Sequence, residues 1–144
     1  MKLLKTCTLA ITFCFLFQLT CFAQQKTDLT GMWQLRKASY PLNQNYTYLK
    51  LYNPDKTFYS YILIPNSKGI ISQYGTFSED GNFLINEYIE HSVFTNNAGR
   101  SEIIYKMTDP HTMEAKFSTP NGNGGEETWE RIIYIPLDQL KQKE

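Results

Sequence analysis

The chain has 144 residues, with 14 Lys and Arg against 14 Asp and Glu, no net charge, and an aromatic content of 15%. Balanced charge excludes the basic surface that nucleic acid requires, and the length suits one domain around one core. The three cysteines, Cys7, Cys14 and Cys21, all fall in an N-terminal leader. The rest of the chain therefore holds no disulfide, no thiol nucleophile and no Cys-ligated metal.

Residues 1–23 read as a cleaved secretory signal peptide. Lys2 and Lys5 form a basic start, residues 7–17 are apolar and uncharged, and Cys21-Phe22-Ala23 places small residues at the first and third positions before Gln24. That order is the one export signals use, and the apolar run is too short to span a bilayer. The protein is expected to be exported, to the periplasm or outside the cell, with lipid attachment at Cys21 as the alternative. Without Lys2 and Lys5 the mature chain has 12 basic and 14 acidic residues, a net charge of −2. Nothing in that balance attracts it to anionic membranes, and no amphipathic segment suggests membrane insertion after cleavage.

After a linker at 24–28, short alternating runs are bounded by Gly, Pro, Asn and Asp, which is the all-β pattern. Strands are predicted at 31–38, 46–52, 57–63, 70–77, 82–91, 101–107, 112–118 and 126–134. Asn53-Pro54-Asp55-Lys56 is a turn in which Pro supplies its fixed φ, and Ser78-Glu79-Asp80-Gly81 is a second tight turn. Asn121 to Gly125 is Gly-rich but lacks the Lys-Ser/Thr and helix of a phosphate loop, so it reads as a rim hairpin. Pro136 ends the last strand, leaving a tail at 136–144. Eight antiparallel strands with short connections fit an up-and-down barrel, which removes exposed edges by closing on itself. A two-sheet sandwich is the rival architecture.

The first strand opens Leu29-Thr30-Gly31-Met32-Trp33, a Gly-x-Trp, and the last carries Trp129-Glu130-Arg131. Gly-x-Trp at the head of eight such strands, with Arg on the last, resembles the lipocalin-like barrels, and more narrowly the small secreted bacterial lipocalin-like domains of unassigned function. The resemblance covers residues 29–134 and implies that Arg131 lies over Trp33 to close one barrel end, with Gly31 letting the chain pass beneath.

Alternation predicts the inward side chains. Glu102 and Lys106 prefer water, which turns Ile103, Tyr105 and Met107 inward; by the same logic Met113, Ala115 and Phe117 face in. If Trp129 and Arg131 face in, so does Glu127. The apolar face of the fifth strand, Phe83, Ile85 and Ile89, also carries Glu87 and His91. Tyr59 and Tyr61 lie on a strand too evenly aromatic to orient. A buried carboxylate needs a partner or a place near the mouth. The plain structural expectation is that Glu87 and Glu127 bond Tyr105 or Arg131 inside a filled core.

Catalytic sets are not legible. Glu87 and Glu127 could pair as acid and base only at a separation the sequence does not fix. His91 beside Ser92 would point to the opposite face, with no third partner. His91, His111 and Glu87 make a poor zinc set, and no cofactor motif is present.

The first expectation is a non-enzymatic exported barrel binding a small apolar or aromatic molecule through Tyr61, Glu87, His91, Tyr105, Glu127 and Trp129. The second is a protein-interaction or envelope accessory module with a filled barrel and no small ligand. An enzyme at the barrel mouth comes third. A chamber of about 300 Å³ or more walled by Glu87 and Glu127 favours the first.

Overall fold

The computed structural model describes residues 28–133 other than 82, 95 and 96. The leader at 1–23, most of the linker and the tail at 136–144 lie outside the described residues. Eight strands follow in order: β1 (Gly31–Ala38), β2 (Thr47–Tyr52), β3 (Thr57–Leu63), β4 (Ile70–Asp80), β5 (Leu84–Ser92), β6 (Gly99–Asp109), β7 (Thr112–Ser118) and β8 (Gly124–Arg131). Each pairs antiparallel with the next, and β8 pairs back onto β1. The expected eight-stranded antiparallel up-and-down barrel forms. Closure through β1 and β8 excludes the two-sheet sandwich.

Local chemistry sets the turns. Between β2 and β3, Asp55 accepts hydrogen bonds from the Thr57 backbone N–H and hydroxyl at 3.0 and 2.6 Å, and Lys56 takes a left-handed φ of 68°. The turn expected at 78–81 moves along the chain. β4 continues to Asp80, because Glu79 is held by Lys56 at 2.7 Å and Asp80 still pairs with Leu84. Phe83, expected on an inward strand face, instead sits in the turn at φ 58° with its side chain well exposed.

One barrel end is closed and packed. Residues 28–30 run into β1 there, and Leu29 is buried beside Trp33, whose indole Nε1 donates to the Leu29 carbonyl at 2.9 Å. The Arg131 guanidinium lies 4.3 Å from the Trp33 ring centroid and donates to the Thr30 and Asp28 carbonyls. Gly31 has a φ of 126°, and a Cβ there would come 3.2 Å from Arg131 Nη1. Tyr52, Phe58, Phe77, Ile85 and Met113 fill the space behind this closure.

Two irregularities decide which side chains face in. Tyr74 pairs with His91 but Gly75 pairs with Ile89, so Glu90 is an extra residue in β5. Ser60 pairs with Gln73 but Tyr61 with Ile71, so Ser72 is extra in β4. A bulge interrupts the two-residue alternation and changes which residues face the core beyond it. At Gly75 the strands approach so closely that a Cβ would lie 1.9 Å from the Tyr88 carbonyl oxygen.

Candidate functional site

Beyond the packed end the barrel is hollow. A cavity of about 400 Å³ extends to a mouth formed by Tyr40 and Leu42 from the β1–β2 loop, Phe94 and Asn97 from the β5–β6 loop, and Thr119 and Asn123 from the β7–β8 loop. Leu35, Ile89, Ile103 and Phe117 supply much of its apolar wall. It meets the sequence expectation for size, and both Glu87 and Glu127 line it.

Its most unusual feature is a buried ion pair. Lys50 on β2 reaches across the lumen to Glu87 on β5, with Nζ 2.9 and 3.1 Å from the two carboxylate oxygens. The Tyr52 hydroxyl donates to the same carboxylate at 2.6 Å. Glu87 is 2% exposed and Lys50 9%. Burial, and then the adjacent Glu87 charge, push the Tyr52 phenol well above its ordinary value. Lys50 Nζ also lies 5.6 to 5.8 Å from the ring centroids of Tyr52, Phe58 and Trp129, where aromatic faces partly replace lost hydration. The ion pair thus borders both the packed half and the hollow half.

Glu127 forms a second polar cluster. The Tyr40 hydroxyl donates to one of its oxygens and Trp129 Nε1 to the other, at 2.8 Å for the indole. Burial, followed by the Glu127 charge, raises the Tyr40 phenol. Tyr40 meets Phe117 edge-on, with centroids 6.0 Å apart, which ties the β1–β2 loop to β7.

Of the residues expected to contact a ligand, Glu87, Glu127 and Trp129 come together around the cavity. The partners expected for the carboxylates are corrected: Glu87 is held by Lys50 and Tyr52, and Glu127 by Tyr40 and Trp129, rather than by Tyr105 or Arg131. Tyr61 borders the cavity, but its ring stacks on Tyr59 with centroids 6.3 Å apart. Ser60 and Phe58 take the inward positions of β3, which places the two tyrosines on the outer face.

His91 is a second correction. The extra Glu90 turns it to the outer surface, where its ring stacks on Tyr74 at 5.3 Å. Tyr105 is buried, but it packs edge-on against Phe83 at the β4–β5 turn and does not line the cavity. Burial and the Glu79 charge raise its phenol. Sequence reasoning missed Lys50, Ser60 and Tyr40. Among the described residues, no group of three His, Cys, Asp or Glu side chains converges to hold a metal ion.

The fold was compared with solved structures. Bovine odorant-binding protein in complex with undecanal is similar at 13% identity and a TM-score of 0.48, covering 83% of this chain and 81% of that one. The same bovine protein with a selenium-containing odorant gives 11% identity and 0.46, over 81% and 77%. Among curated proteins, none matches the chain in sequence. A family model described as "Domain of unknown function (DUF4488)" matches residues 28–138, a span that takes in all eight strands, and the chain belongs to that family.

Proposed function

We propose that this protein is a binding protein that carries a small, mainly apolar molecule inside the barrel. The observation that carries this reading is the cavity of about 400 Å³, walled by Leu35, Ile89, Ile103 and Phe117 and reaching the loops that bear Tyr40, Phe94 and Asn123. Pockets of a few hundred Å³ with apolar walls and a few placed polar groups are the usual form of a small-molecule site. A filled-barrel interaction module needs side chains throughout the lumen, which a cavity of about 400 Å³ argues against.

Export is part of the same proposal, supported by the basic start, apolar run and small residues before Gln24. Native mass spectrometry of the protein purified from its own host tests both. The expected species begins at Gln24 and carries a stoichiometric adduct that disappears on denaturation. A chain that retains residues 1–23 would overturn export. A barrel that carries no adduct and takes up no apolar fluorescent probe would overturn carriage.

A further inference from the structure

The lumen already holds one ammonium, and the groups around it show what this barrel uses for the purpose. Lys50 Nζ rests on the Glu87 carboxylate, which also accepts the Tyr52 hydroxyl. The Tyr52, Phe58 and Trp129 rings lie 5.6 to 5.8 Å from that nitrogen. Glu127 repeats most of this arrangement. Its carboxylate accepts a tyrosine hydroxyl, from Tyr40, and the Trp129 indole N–H, and the Phe117 ring stands edge-on to Tyr40. The cation is what differs. Among the described residues, no Lys, Arg or His side chain pairs with Glu127.

Two neutral donors satisfy hydrogen bonds without cancelling charge. Each Glu127 oxygen receives one bond and can accept two, so acceptor capacity remains on both. Glu127 is only partly buried and lines the cavity, which puts that capacity within reach of a molecule inside. Lys50 and Glu87 cancel, so the charged side chains on the cavity wall leave one negative charge, that of Glu127. An ammonium group balances it, and the faces of Tyr40 and Phe117 add the attraction that aromatic rings have for cations.

We propose that the ligand bears one cationic amine, seated on Glu127 among Tyr40, Phe117 and Trp129, with its apolar body against Leu35, Ile89 and Ile103. This rests on the carriage reading above and adds the chemical class of the ligand.

The test is displacement of an uncharged apolar fluorescent probe at neutral pH by three ten-carbon compounds: decylamine, 1-decanol and decanoate. The expected order places decylamine tightest and decanoate weakest, because decanoate sets a second negative charge beside Glu127. Glu127→Gln keeps the side chain's size and removes its charge. It should weaken decylamine about tenfold relative to 1-decanol, the worth of a hydrogen bond to a charged group. A salt series reads the same pairing in the unaltered protein: decylamine should weaken severalfold relative to 1-decanol as salt rises toward about 1 M. An amine affinity indifferent to salt would overturn the proposal, as would Glu127→Gln weakening decylamine and 1-decanol alike. If 1-decanol binds as tightly as decylamine, or none of the three displaces a bound probe, the amine assignment fails and carriage stands. A barrel that takes up neither the probe nor any of the three overturns both.

Discussion

Removing either member of the Lys50–Glu87 pair should destabilise the barrel far more than removing both. Their nitrogen and oxygen atoms lie 2.9 Å apart, with side chains 11% and 3% exposed. At an effective dielectric of about 20, unit charges roughly 3 Å apart attract by about 5–6 kcal/mol. Each ion loses several kcal/mol of hydration on burial, so the pair as a whole comes close to neutral for stability. Removing one partner leaves the other buried and uncompensated, at a cost of about 3–5 kcal/mol. Glu87→Gln should show that full cost. Lys50→Met should cost somewhat less, because Tyr52 still donates to Glu87 at 2.6 Å.

The double variant Lys50→Met/Glu87→Gln should recover most of the loss, a coupling of about 3 kcal/mol. Urea unfolding followed by circular dichroism reads this directly. With a slope of about 2 kcal/mol per M, each single variant moves the midpoint down by roughly 2 M. Costs that simply add in the double variant, or single variants indistinguishable from the parent, would refute the reasoning.

Three other expectations follow from the geometry. Gly75→Ala forces a Cβ to within 1.9 Å of the Tyr88 carbonyl oxygen and should cost about 2–3 kcal/mol in the same urea assay; a parent-like midpoint would mean the bulge yields freely. Arg131→Met removes the cation over Trp33 and two donors to the segment at 28–30, and should cost about 1–3 kcal/mol, with Trp33 fluorescence shifting red as water reaches it. An unshifted emission would contradict the closed end. The Tyr52 phenol is raised above its ordinary value of 10.0 in the folded state. The stability from keeping it neutral is therefore complete below that pH and is lost as pH climbs toward the folded value. Absorbance at alkaline pH should show Tyr52 ionising only as the circular dichroism collapses. Ionisation of every tyrosine with the native spectrum intact would exclude this.

The barrel was legible in the sequence because its turns are written in local chemistry. Asn53-Pro54-Asp55-Lys56 and the alternation of β6 and β7 need no tertiary information, and the β1, β3 and β7 limits agree with the pattern to the residue. The interior was less legible, for two reasons. Bulges interrupt alternation: Gly75, inside a strand, was the available sign that the pairing with β5 slips, and His91 moved outside in consequence. Secondly, β2 reads backwards. Ordinary hydropathy would bury Leu49 and Leu51 and expose Lys50, yet Lys50 is buried while Leu51 joins an outer row across the sheet. Met32, Leu51, Tyr59, Tyr74 and His91 are successive cross-strand partners in that row. What inverts β2 is Glu87, 37 residues away and across the lumen, a partner that no local pattern announces.

The division of the lumen into a packed half and a hollow half gives each strand one firm end and one yielding end. The seam that joins the first strand to the last is fastened at the firm end, by Arg131 over Trp33 and onto the Thr30 carbonyl. The loops bearing Tyr40, Phe94 and Asn123 all belong to the yielding end. Amide exchange should therefore be slow near Trp33 and Phe58 and grade faster along the same strands toward the mouth. Hydrostatic pressure, which acts on internal void, should loosen the mouth first. On the proposed carriage, a ligand would pass in or out by local breathing of these loops, without the cylinder coming unzipped.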